Sequence, residues 1–165
     1  MPKQLLSQHE PIGILIGAVR RRIKQVVAAQ VRHHGLTPQQ FLVMVAVHER
    51  GGGSLGEIAS HIRMDQPTAS RIVTALMKRS LVRIDEDPGD RRRARIFLTP
   101  GGKTLAKELH TVAKEIRAAS EAGFDAEERD ALRSLLHAVI ANIDRYERER
   151  RGGGGPLPGS RRNTG

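Results

Sequence analysis

The sequence predicts a mainly α fold with a small β component, a winged helix-turn-helix carried between long N- and C-terminal helices. Three observations predict it. Two short amphipathic segments follow one another between residues 54 and 79. Two short alternating apolar stretches then flank an arginine-rich turn. Longer segments with helical periodicity lie on either side of this block.

Each element has its own signal. Ile12, Leu15, Ile16, Val19, Ile23, Val26 and Val27 recur at helical spacing and predict a first helix over about residues 11–33, with Gly35 as its stop. Thr37-Pro38-Gln39-Gln40 starts a second helix, with Thr37 as cap, proline in the first turn and Gln40 closing a capping box. This helix runs to about Arg50 and is apolar on most sides (Phe41, Leu42, Val43, Val45, Val47), so it is expected inside. Gly51-Gly52-Gly53 ends it.

Ser54-x-x-Glu57 is another capping box, opening a short helix with Leu55, Ile58, Ala59 and Ile62 inward. After a turn at Arg63-Met64-Asp65, a helix over about Gln66–Arg79 carries Ala69, Ile72, Val73, Leu76 and Met77 as its buried stripe. Leu81–Ile84 and Arg95–Leu98 read as strands, joined by a turn containing Pro88-Gly89. Thr99-Pro100 caps a long helix to about Ala122, and Asp125-x-x-Glu128 caps a last one. In that last helix Leu132, Leu135, Leu136, Val139, Ile140 and Ile143 are expected inward. The Gly/Pro-rich residues 149–165 read as a disordered basic tail.

Composition narrows the function classes. The formal charge is +10, with arginine supplying 22 of the 28 basic residues. The excess lies in residues 1–35, in the central block and after residue 149, while residues 99–149 are slightly acidic, with eight basic and ten acidic side chains. A basic excess placed in this way attracts a polyanion, most often nucleic acid. Cysteine is absent, which excludes a disulfide framework and a thiol switch. The apolar run at residues 12–19 is short and ends in Arg20-Arg21-Arg22, so neither a signal peptide nor a membrane span is expected. A cytoplasmic protein is the expectation.

The face of the 66–79 helix opposite its apolar stripe carries Pro67, Arg71, Thr74, Ala75 and Lys78, with Thr68 and Ser70 flanking it and Gln66 at the helix start. A slim face bearing hydrogen-bonding and basic groups is what entry into a DNA major groove requires. Arg71 has the fork to read a guanine edge, Gln66 the amide to read adenine, and Lys78 the charge to meet phosphate. Asp90-Arg91-Arg92-Arg93 stands at the hairpin tip, and a minor groove is a negative slot that attracts arginine.

These segments, MDQPTASRIVTALMKRSLVRI and DPGDRRRARIFLTPGGKTL, resemble the MarR (multiple antibiotic resistance regulator) family of bacterial transcription factors, and the resemblance covers about residues 10–148. It implies that the Asp-x-Arg of the wing is Asp90-Arg91-Arg92, with Arg92 in the minor groove and Asp90 orienting the wing. It implies a homodimer built from residues 1–35 and 99–148 around a DNA-binding lobe at 36–98. It further implies double-stranded DNA and a small-molecule effector, often phenolic, as partners. The alternative is a winged helix whose arginines dock on an acidic protein.

Other signals fail on context. Gly51-x-Gly53-x-x-Gly56 and Gly52-x-Ser54-x-Gly56 mimic a dinucleotide fingerprint and a nucleophile elbow, but a helix precedes them where both need a strand. Gly102-Lys103-Thr104 lacks the earlier phosphate-loop glycine, since Phe97 stands there. No two histidines are spaced as ligands on one helical face. No catalytic residue, cofactor or metal is expected.

Overall fold

The computed structural model describes residues 10–87, 89 and 94–152. The chain forms two compact units, one ending at Ser120 and one beginning at Glu121. The first contains α1 (Ile12–Val31), a 3-10 turn (Arg32–His34), α2 (Pro38–Arg50), α3 (Leu55–His61), α4 (Gln66–Lys78), β1 (Val82–Glu86), β2 (Ala94–Leu98) and α5 (Pro100–Ser120). The second contains α6 (Ala126–Gly152). No helix among the described residues is long and apolar enough to cross a membrane.

Helix α2 is the centre of the first unit. Thr37 accepts from the Gln40 amide at 3.2 Å while the Gln40 side chain accepts from the Thr37 amide at 2.9 Å, closing the capping box. From there Phe41, Val43, Met44, Val45, Ala46 and Val47 are buried, and the helix packs against α1, α3, α4, α5 and β2. Leu42 departs from the expectation: it is exposed, because its side of α2 opens on a cavity rather than on a neighbour. Around α2 the core collects Val27 and Val31 from α1, Ile58 from α3, Val73 and Leu76 from α4, Ile96 and Leu98 from β2, and Ala106 and Leu109 from α5.

The strands pair antiparallel, with Val82 opposite Leu98 and Glu86 opposite Ala94. Both are slightly longer than the sequence signal, which stopped at Ile84 and began at Arg95. The added residues, Asp85, Glu86 and Ala94, are acidic or small, so hydrophobic alternation does not mark them. A third edge comes from the glycine run. Gly53 and Ile96 exchange backbone hydrogen bonds at 3.2 and 2.8 Å. Gly52 sits at φ +111°, and a Cβ there would lie 2.7 Å from the Phe97 ring. Glycine is therefore required where the α2–α3 loop meets the sheet.

The junction between β2 and α5 is equally tight. Thr99 Oγ1 donates to the Ser80 carbonyl at 2.7 Å and accepts from the Gly102 amide at 3.0 Å. A Cβ on Gly102 would fall 1.9 Å from the Leu81 carbonyl oxygen. The glycine that mimicked a phosphate loop is thus a packing requirement in the first turn of α5. Arg79 ties a further corner, donating to the His34 and Gly35 carbonyls at 2.8 and 2.9 Å.

In the second unit, Asp125 and Glu128 close their predicted box, with hydrogen bonds of 2.8 and 3.0 Å. Leu132, Leu135, Leu136, Ile140 and Ile143, expected inward, are exposed; Val139 is half-buried. With a single helix among its described residues, this unit offers these side chains no core of its own. Residues 149–152, expected in the disordered tail, are instead the last turn of α6. Arg151 pairs with Glu147 at 3.8 Å and Arg150 donates to Tyr146 Oη at 3.1 Å, and basic groups at a helix C-terminus favour that turn. The remaining tail, residues 153–165, lies outside the described residues.

Candidate nucleic-acid interface

The candidate interface draws on α3, α4 and the wing. Ser54 and Glu57 cap α3 reciprocally, at 3.2 and 2.8 Å. This is the role Ser54 has, rather than that of a nucleophile. The hydrogen bond from the Ser54 backbone amide, and then that from its side chain, hold the Glu57 carboxyl below its ordinary value. Helix α3 ends at a turn in which Arg63 adopts φ 51°. Asp65 then caps α4, accepting from the Thr68 amide at 2.8 Å. That hydrogen bond, with a smaller contribution from the Arg71 charge, lowers the Asp65 carboxyl too.

Helix α4 buries Ala69, Val73 and Leu76. Met77, expected in the same stripe, is 40% exposed, since it lies at the stripe's edge, one step round from Leu76. The opposite face presents Gln66, Pro67, Ser70, Arg71, Thr74 and Lys78, all exposed, with Thr68 half-buried beside them. Positions 67, 70, 71, 74 and 78 follow helical spacing, so they form one continuous row. Arg71 Nε donates to the Pro67 carbonyl at 3.4 Å, which lays the side chain back along the helix. Thr74 Oγ1 donates to the Ser70 carbonyl at 2.9 Å, leaving its lone pairs outward. The Gln66 amide lies against α3, with Nε2 3.3 Å from where a Cβ on Gly56 would be. Gly56 thus lets α4 start close over α3.

Of the wing residues, Asp90, Arg91, Arg92 and Arg93 lie outside the described residues, as does Pro88. The wing base is described, and it contains a device that sequence reasoning passed over. Arg95 pairs with Asp87 at 3.1 Å, donates to the Gly52 carbonyl at 3.3 Å and stands 5.9 Å from the Phe97 ring. Arg83 pairs with Asp85 and stands 5.4 Å from the same ring. The only signal for this in the sequence is the set of alternating charges on the two strands. It does not say which aspartate meets which arginine.

Two of the histidines, His61 and His110, meet at one carboxylate. Glu49 lies 3.6 Å from His61 Nε2, 3.5 Å from His110 Nδ1 and 3.9 Å from Arg117. No group of three or more metal-ligating side chains is suitably placed among the described residues. Beside Glu49, α1, α2, α3 and α5 leave a cavity of about 370 Å³ whose walls include Phe41, Leu42, Ile62, His61 and Arg117.

The MarR family model matches residues 36–94, from the start of α2 to the start of β2. The transcriptional repressor NicR of Pseudomonas putida is 32% identical over 131 residues, covering 79% of this chain and 83% of NicR. The chain belongs to the MarR family. It is therefore a transcriptional regulator. Among solved MarR-family structures, Bordetella bronchiseptica BpsR, whose DNA binding is regulated by 6-hydroxynicotinic acid, is 28% identical. It superposes with a TM-score of 0.66 over 85% of this chain and 98% of BpsR. Escherichia coli MarR bound to operator DNA shares the fold, with a TM-score of 0.65 at 22% identity over 83% of this chain and 99% of MarR.

Proposed function

We propose that this MarR-family chain is a homodimeric, ligand-responsive repressor that binds a pseudo-palindromic operator in the cytoplasm. The observation that carries this reading is the exposed row Pro67, Ser70, Arg71, Thr74 and Lys78 on a helix capped at Asp65. Slim hydroxyls beside a guanidinium and an ammonium suit a major groove, where Arg71 reads a base edge and Lys78 meets phosphate. Gln66 and Thr68 contact the DNA at the helix start. Arg91, Arg92 and Arg93 enter or flank the minor groove, oriented by Asp90.

In this reading residues 36–98 form the DNA-binding lobe, and residues 1–35 and 99–148 supply the dimer. Support comes from the exposed apolar side chains of α1 (Ile12, Leu15, Val19) and α6 (Leu135, Ile143), which water alone does not favour. The effector is a small hydroxylated aromatic compound, held in the cavity beside Glu49. Phe41 provides a ring wall there, and His61 and Arg117 provide polar groups. The effect of BpsR's ligand on its DNA binding supports this assignment. Ligand binding favours a dimer whose α4 helices no longer match half-sites about 34–36 Å apart.

The test is fluorescence anisotropy on DNA from the protein's own upstream region and on random duplex, across a salt series. Selective binding with a steep salt slope is expected. Equal, weak binding to both DNAs would overturn the reading and favour an acidic protein partner.

A further inference from the structure

The ends of α2, α3 and α4 share one backbone motif. The amides of Gly52, Met64 and Leu81 each donate to the carbonyl five residues back, on Val47, Ala59 and Leu76, at 3.0, 2.8 and 3.0 Å. The amides just before them, on Gly51, Arg63 and Ser80, donate to the His48, Ser60 and Met77 carbonyls at 3.3, 3.1 and 2.8 Å. This closure puts the middle residue in the left-handed region. Its φ is 67° at Gly51, 51° at Arg63 and 54° at Ser80. Glycine adopts that conformation freely, whereas a residue with a Cβ adopts it at a cost. The chain places glycine at the end of α2, and an arginine at the end of α3.

A strained conformation held by a long charged side chain, where glycine would be relaxed, points to a use for that side chain. Arg63 is exposed, and it lies in the turn between α3 and α4, two residues before the Asp65 cap. Ser60 before it and Gln66 and Pro67 after it are exposed as well, so the surface around it is open. In a helix-turn-helix the first helix crosses the DNA backbone, and the second enters the major groove by its N-terminal end. The turn between them therefore runs along the lip of the groove, where the phosphates are. A guanidinium there has the fork to take a phosphate through two hydrogen bonds. We infer that Arg63 is a DNA-backbone contact, a phosphate clamp that sets how α4 sits in the groove without reading sequence. The inference rests on the DNA-binding reading above, and adds to it a residue outside both the polar row of α4 and the wing.

The experiment compares the unaltered full chain with Arg63→Gln, Arg63→Gly and Ser80→Gly. Anisotropy across a salt series measures binding to the upstream-region DNA and to random duplex, and thermal unfolding gives Tm. Arg63→Gln keeps the strain and removes the charge. It is expected to bind both DNAs at least about fivefold more weakly at unchanged Tm, with the salt slope lowered by about one phosphate equivalent per protomer. Arg63→Gly should lose the same binding while its Tm rises by about 2–4 °C. Ser80→Gly relieves the same strain at the far end of α4, so it should raise Tm and leave DNA binding unchanged. Unaltered affinity and salt slope in Arg63→Gln would overturn the inference and leave the DNA-binding reading standing. A lower Tm in Arg63→Gly would also overturn it, because packing would then account for the arginine. So would an equal loss of binding in Ser80→Gly, which would trace the effect to the backbone around α4. If the unaltered chain binds neither DNA, the reading and the inference fall together.

Discussion

At the scale of the residue, charge alone does not identify the groups that reach DNA. Of the basic side chains in and after α4, Arg79, Arg83 and Arg95 are committed to the protein's own carbonyls and carboxylates. Arg71 and Lys78 are exposed, with Arg71 giving its Nε to the Pro67 carbonyl of its own helix. Arg71→Ala is expected to cost about 1–3 kcal/mol on the operator and little on random duplex, measured by anisotropy. Equal losses on both would make Arg71 a phosphate contact. Arg92→Ala is expected to lower the salt slope by about one phosphate equivalent per wing. Glu57 and Asp65 give a pH dependence. Both carboxyls are lowered in the folded chain, so their contribution is full above the ordinary carboxyl range and fades as the pH falls through the folded values. The paired variant Glu57→Gln, Asp65→Asn should flatten the fall in Tm between about pH 5 and about pH 2. An unchanged profile would place the acid sensitivity elsewhere.

At the scale of the element, capping sets where the helices begin, and close backbone approach sets how the wing is mounted. The Thr37, Ser54 and Asp125 boxes were all legible, because each needs only two residues three apart. The wing mount was not, because Gly52, Gly53, Asp87, Arg95 and Phe97 come together only when the α2–α3 loop folds back on β2. Gly102→Ala should be strongly destabilising, by several kcal/mol, since its Cβ would overlap the Leu81 carbonyl. Thermal unfolding measures this. Gly101→Ala next to it, with open space around its Cβ, should be tolerated and serves as the control.

At the scale of the whole molecule, the apolar residues divide into two populations. Those around α2 are buried within the first unit, and those on the outer part of α1 and along α6 are exposed. Hydrophobic periodicity reports that a helix has an apolar face. It does not report whether that face meets the same chain or a second copy. Placing charges at Leu135 and Ile143 (Leu135→Glu, Ile143→Glu) is expected to yield a folded first unit, a monomer by analytical ultracentrifugation, and loss of operator binding. A dimer that survives both changes would remove α6 from the interface.

The sequence by itself determined the order and type of the main elements, the caps at Thr37, Ser54, Thr99 and Asp125, the apolar stripe of α4 and the polar row opposite it. These follow from local spacing, which a one-dimensional pattern contains in full. Only the tertiary structure decided that Leu42 opens on a cavity, that Glu49 draws His61, His110 and Arg117 together, and that Arg95 braces the wing against Gly52. Each of these depends on residues far apart in the chain meeting around α2. No local periodicity encodes such a meeting, because it is fixed by how the helices and strands pack.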